Sequence, residues 1–254
     1  MDFVLRLNQL AACVMLMTFC CGGALADEFQ VLSAGAIEPG LKAAAAAFEK
    51  QTGHVAKITF NTAPELRKRM ESHPAFDVVI APPAVIADFA AASKLLDTRT
   101  NVGRVGMGVA VRDGAAVPDI SSPDALKRSV LEAESLVFNR ASTGMYFEGL
   151  LKKMDVYPQI EGKTTRYADG ASVLEHVIKG QGREVGFGAI TEILLYQGKG
   201  LKFVGPLPAA IQNYTSYTAA ALASGASEVL ARQFVIFLSG PVGKPLFVAA
   251  GITD

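Results

Sequence analysis

Cysteine is nearly absent from this chain. Of 254 residues only Cys13, Cys20 and Cys21 are cysteine, and all three fall in one N-terminal apolar run. Arg6 precedes that run, and Ala24-Leu25-Ala26 gives a small-x-small cleavage pattern before Asp27. This is the layout of a secretory signal peptide, cut near Ala26. The run is too short to span a membrane, which takes ~20 apolar residues. Met17-Thr18-Phe19 lacks the small pair that lipid anchoring on Cys20 or Cys21 prefers. A soluble, exported mature chain is expected, in the periplasm. Without cysteine it has no disulfide, thiol nucleophile or cysteine metal site. An excess of either charge is also missing, since Lys+Arg and Asp+Glu number 24 each. A nucleic-acid or membrane-surface binder needs a basic face, so neither partner is expected.

The motifs of catalysis are missing too. His54, His73 and His176 have no HExxH spacing and are read as surface residues rather than metal ligands. No serine has lysine three residues on, and no G-x-S-x-G elbow or P-loop exists. Gly180-Gln181-Gly182 with Gly186 has the wrong spacing for a dinucleotide loop. Asp169 and Glu192 read as isolated carboxylates. No catalytic residue, metal or cofactor is therefore assigned, and an enzyme is not expected. A triad assembled in space stays open.

What the chain does contain is core material: 50% of its residues are hydrophobic and 19% charged. Residues 31–53 set the pattern. Val31-Leu32 reads as a strand and Ser33-Ala34-Gly35-Ala36 as a small-residue turn. Leu41, Ala44, Ala45 and Phe48 then fall on one helix face. Pro39 suits the first helical turn and Gly53 the stop. The unit recurs. Strands are expected at 55–60, 76–80, 106–111, 135–138, 165–167, 184–187, 201–204 and 214–222, with helices between them. Thr62 with Glu65 and Ser172 with Glu175 have capping-box spacing. Ser122-Pro123 and Ser227 open further helices. Residues 97–104 read as a polar link and 205–208 as a stiff one.

Alternating strands and helices indicate an α/β fold with largely parallel sheets, whose ligands bind beyond the carboxyl ends of strands. Ser33, Gly35, Ala36, Asn61, Thr62, Ala63, Ser142, Thr143, Gly144 and Thr191 all lie at such junctions. They offer hydroxyls, an amide and free N–H groups, which suit a small polar or anionic solute.

In order and spacing these stretches are familiar. Ser33-Ala34-Gly35-Ala36, Phe60-Asn61-Thr62-Ala63, Phe76–Ile80, Asn139-Arg140-Ala141-Ser142-Thr143-Gly144-Met145-Tyr146 and Gly186–Thr191 carry the likeness, which spans nearly all of 29–254. The chain resembles the periplasmic solute-binding proteins of ABC importers, type 2, in the molybdate-binding-protein-like family. The resemblance implies two lobes, each a mainly parallel sheet flanked by helices, joined by a hinge. It implies a signal peptide at 1–26, lobe 1 at 27–105, lobe 2 at 106–205, and a return crossover with C-terminal helices at 206–254. Ser33, Gly35, Ala36, Thr62 and Ala63 would face the cleft from one lobe, and Ser142, Thr143, Gly144, Tyr146 and Thr191 from the other. Gly35-Ala36 stands where molybdate binders carry two hydroxyls, and their tyrosine is not at Gly188 or Ala189. Arg140 could add a positive charge. The ligand is thus a molybdate-like oxyanion or a small organic carboxylate, bound by a monomer that serves an inner-membrane ABC permease. A sensor or scavenger of the same fold acting on a receptor is the alternative, and an exported hydrolase is a third.

Overall fold

The computed structural model describes residues 27–72, 75–92 and 94–254. Residues 1–26, expected to be a signal peptide and holding the three cysteines, and His73 lie outside these residues.

The chain alternates as its sequence suggests: β1 (Glu28–Ala34), α1 (Glu38–Thr52), β2 (Val55–Asn61), α2 (Ala63–Glu71), β3 (Val78–Ala81), α3 (Pro83–Ala91), then the long β4 (Leu95–Arg112). A second run follows: α4 (Pro123–Glu132), β5 (Ser135–Asn139), α5 (Ser142–Lys153), α6 (Tyr157–Ile160), β6 (Thr164–Tyr167), α7 (Gly170–Lys179), β7 (Glu184–Ala189), α8 (Ile190–Tyr196) and β8 (Leu201–Pro206). β9 (Tyr214–Leu222), α9 (Glu228–Ser239) and α10 (Gly243–Ala249) close it.

The strands lie in the order β2-β1-β3-β9-β4-β7-β5-β6, with β8 also on β4. β1 runs parallel to β2 and β3, and β5 parallel to β6 and β7. Strands β4, β8 and β9 pair antiparallel, so only the outer part of each half is parallel. β4 serves both halves. It pairs with β9 as far as Gly106↔Tyr214 and with β7 from Met107↔Ala189 onward.

Residues 97–104, expected as a link, are strand. Their side chains alternate, with Asp97, Arg99 and Asn101 exposed, but the intervening positions are also polar until Val102. No apolar face therefore marks the strand in sequence, and backbone pairing to β9 holds it. Gly103 sits at φ 125° in this strand, where a Cβ would stand 2.7 Å from the carbonyl of Thr253.

Each half has its own core. Phe29, Phe48 and Phe234 meet edge to face at 5.1–5.9 Å, so α9 from the end of the chain completes the first half. Phe147 packs on Phe138 and Phe187 in the second. The buried Asp77 carboxylate accepts from the backbone N–H groups of Gln30 and Ser227, both at 2.7 Å, which ties β1 and the entry to α9 to β3.

The caps differ from the sequence reading. Neither Thr62 nor Ser227 makes a side-chain cap bond. Asp169, not Ser172, caps α7, accepting from Ser172 N at 2.8 Å. Ser122 does cap α4, accepting from Ala125 N at 3.1 Å.

The chain passes between the halves twice, at Gly106–Met107 and over 207–213. Gln212 fastens the two passes together. Its Oε1 accepts from Met107 N and its Nε2 donates to Met107 O, both at 2.9 Å.

Candidate functional site

A cavity of about 730 Å³ opens between the two halves. Gly35 and Ala36 line it from the end of β1, Asn61, Thr62 and Ala63 from the end of β2, Ser142 and Thr143 after β5, and Asp169, Gly170 and Ala171 after β6. All stand beyond the carboxyl ends of parallel strands, where helices begin and their first N–H groups lack intrahelical partners.

The start of α5 is built by Asn139. Its Oδ1 accepts from Ala141 N at 3.0 Å and Gly144 N at 3.1 Å, and its amide nitrogen donates to the Thr143 hydroxyl at 3.1 Å. That leaves the N–H groups of Ser142 and Thr143 for the cavity. Gly144 is obligatory here, since a Cβ would stand 1.8 Å from the carbonyl oxygen of Asn139. At α7 the Asp169 cap takes Ser172 N and leaves those of Gly170 and Ala171. Across the cavity, the buried amide nitrogen of Asn61 has no hydrogen-bond partner among the described residues, a rare state for a buried donor.

The turn after β1 is held differently. Ser33 is buried and its hydroxyl donates to Ala34 O at 3.1 Å. The next support comes from the opposite half, where the Thr191 hydroxyl donates to Ala36 O. Beside it lies Glu192, whose carboxyl fills the space left by two glycines. A Cβ on Gly170 would stand 2.1 Å from its Oε2, and one on Gly35 3.3 Å from its Oε1. No described residue hydrogen-bonds this carboxyl. Burial, then the charges of Asp169 and Glu38, push its pKa from the usual 4.5 up to about 7. Burial and the Glu192 charge also push the Tyr217 phenol up. Asp169 and Glu192 are therefore not isolated carboxylates, as the sequence suggested, but electrostatic neighbours in one cavity.

The lining holds more acid than base. Glu38, Glu65, Asp169 and Glu192 face Lys42 and Lys199, and Lys42 is already paired with Glu38. Phe60, Pro82, Leu195 and Tyr217 supply apolar walls.

Of the residues named from sequence, seven line this cavity: Gly35, Ala36, Asn61, Thr62, Ala63, Ser142 and Thr143. Five do not. Ser33 and Gly144 are buried behind it, and Thr191 is spent on Ala36. Tyr146 turns away and donates to Ile211 O at 2.8 Å, bracing the second crossover. Arg140 is exposed and outside the lining, with its backbone N–H bound to Tyr167 O. A loop arginine next to a site is not thereby in it. Sequence reasoning missed Asn139, Asp169, Gly170, Glu192 and Tyr217. A signal existed for Asp169 and Asn139, because Asp and Asn just before a helix are natural caps. None existed for Glu192, whose environment comes from residues 22 to 157 positions away.

His54 and His176 are half-buried rather than free on the surface. His54 Nδ1 accepts from Asp27 N at 3.3 Å, and the His176 ring bonds the Tyr167 hydroxyl at 2.8 Å. Among the described residues no three His, Cys, Asp or Glu gather as metal ligands, and no helix is long and apolar enough to cross a membrane.

Known proteins share this architecture. The structure is similar to the periplasmic molybdate-binding protein of Azotobacter vinelandii, with TM-score 0.72, 17% identity, and 89% of this chain and 99% of that one covered. It is equally similar to the sulfate-binding protein of Mycobacterium tuberculosis H37Rv, with TM-score 0.72, 16% identity, and 89% and 86% covered. In sequence it is 27% identical over 218 residues to an aconitate isomerase of a Pseudomonas species, covering 82% of this chain and 81% of that one. The family described as bacterial extracellular solute-binding protein matches residues 29–253. That match takes in both halves of the sheet, both crossovers and every residue lining the cavity, and so the chain belongs to the bacterial extracellular solute-binding proteins.

Proposed function

We propose that the chain captures a small organic acid in the cavity between its halves and passes it to an inner-membrane ABC permease. The observation that carries this reading is the cavity itself: about 730 Å³ ringed by four helix starts. A bare tetrahedral oxyanion displaces only a few waters, at ~30 Å³ each, and would leave most of that space empty. A di- or tricarboxylate fills it better, with carboxylates on the N–H groups of Ser142, Thr143, Gly170 and Ala171 and carbon against Phe60, Pro82 and Tyr217. Helix starts favour anions without a buried cation, which fits a site whose lysines stand at its rim. In this reading 27–105 with 206–254 forms one lobe and 106–205 the other. They close by a hinge at the two crossovers because the ligand prefers the shut state. The mature protein works as a periplasmic monomer and turns nothing over.

Thermal-shift and calorimetric titration with succinate, citrate, tricarballylate, sulfate and molybdate tests the proposal. Saturable stabilisation by one of the three carboxylates is expected, about 2.7 kcal/mol at a hundredfold excess over Kd. Tight binding of molybdate or sulfate, with no response to the carboxylates, would return the site to inorganic oxyanions.

A second reading is favoured by Glu192 together with the aconitate isomerase relative. A carboxyl titrating near 7 inside a ligand cavity suits proton transfer. The protein would then isomerise an unsaturated tricarboxylate rather than only hold it. Incubation with either isomer of aconitate, followed by proton NMR, decides between them.

A further inference from the structure

We infer that Glu192 holds one proton in common with a carboxyl of the bound acid, so that the cleft takes up a proton when it fills above neutral pH. This deepens the organic-acid reading and rests on it. The argument begins with placement. The Glu192 carboxyl lies in the cavity wall, between the backbone of Gly35 on one half and Gly170 on the other, the two glycines whose missing side chains admit it. It therefore lies among the N–H groups on which a ligand carboxylate would rest. It also has no hydrogen-bond partner among the described residues. An ionised carboxylate there repels the ligand, whereas a protonated one donates to it, and two carboxyls so close hold one proton between them.

The surroundings push the same way. Asp169 faces Glu192 from the start of α7 and Glu38 from α1, and both charges favour the protonated form. Tyr217 of β9 and Tyr196 of α8 are neutral neighbours, with their phenols pushed up by burial. Lys42 is committed to Glu38, and Lys199 lines the rim. On α7, Glu175 pairs with Lys179 and His176 with the Tyr167 hydroxyl. None of these supplies a cation to the Glu192 carboxyl, so ligand binding pushes its proton affinity further upward.

The inference makes a choice among ligands as well. A site that shares one proton accepts an acid able to meet a carboxyl face to face. It rejects a fully ionised oxyanion such as sulfate, which cannot take the proton at neutral pH.

The test is isothermal titration of the full mature chain with tricarballylate, which has no double bond to isomerise. It is run in buffers of different ionisation enthalpy between pH 6 and 8.5. Wild type is expected to take up close to one proton per ligand at pH 8, with affinity falling about tenfold from pH 7.5 to 8.5. Glu192→Gln keeps a donor of the same shape and is expected to bind with no proton uptake and a flat profile. Asp169→Asn is expected to move the wild-type profile to lower pH. Binding by wild type without proton uptake, or uptake unchanged in a folded Glu192→Gln, overturns the inference and leaves the organic-acid reading standing. No binding of tricarballylate, succinate or citrate at any pH overturns both.

Discussion

The turns after β5 and after β1 face the same cavity and expose the same kind of backbone, yet they are held in opposite ways. The start of α5 is self-contained. Asn139, five residues before Gly144, ties Ala141, Thr143 and Gly144 to one side chain. The start of α1 has no side-chain cap of its own. It leans across the cavity on Thr191 and Glu192, which reach it from the other half. The first turn keeps its shape whether or not the halves touch. The second owes part of its shape to their contact, so in the proposed closure the β1 turn orders as the cleft shuts.

That contrast can be broken most severely at α5. Gly144→Ala places a methyl group against the Asn139 carbonyl oxygen, where backbone must move, and should cost about 2–4 kcal/mol in a urea melt. Asn139→Ala removes an acceptor shared by two N–H groups and should cost about 1–3 kcal/mol. It should also weaken carboxylate binding at least tenfold, while the fold survives by circular dichroism.

The next effect lies at Glu192, and its sign follows from linkage. The folded pKa, about 7, stands above the usual 4.5. Protonation therefore favours the fold below pH 4.5, and that advantage is lost as pH rises through 7. Glu192→Gln cannot lose it. The variant should match wild type at pH 4.5 and exceed it by about 1–3 kcal/mol at pH 8, the figure being reduced for partial solvent access. Thermal melts at both pH values measure this.

Thr191→Val should be milder. One uncharged hydrogen bond to Ala36 is worth about 0.5–1.5 kcal/mol. Because it spans the halves, the loss should appear as weaker ligand binding as well as lower stability. Arg140→Ala should change affinity by less than threefold, since the side chain is exposed and outside the cavity. A tenfold loss would put an arginine back in the site and reverse the present picture of its charge.

Much of the fold is visible in the sequence, because Leu41, Ala44 and Phe48 do form the buried stripe of α1, and Gly53 does end it in a left-handed conformation. Periodicity works wherever one face is apolar and the other wet. It fails at 97–104, where both faces of the strand are polar and only pairing to β9 defines it. It also fails to place Glu192. A glutamate on a short helix reads as surface, and only the close approach of Gly35 and Gly170 from distant segments makes it a half-buried, electrostatically burdened group. Tyr146 and Arg140 mark the converse case: both are adjacent in sequence to a site loop, yet Tyr146 is turned by α5 onto Ile211 and Arg140 is exposed outside the lining. Seven junction residues reached the cavity because strand ends are fixed by topology, whereas side-chain direction is fixed by packing.

The bond between Gln212 and Met107 has a mechanical consequence. One side chain grips both the N–H and the C=O of a single residue, so in the proposed hinge the two passes of the chain cannot slide past each other there and are left to swivel about a common pin.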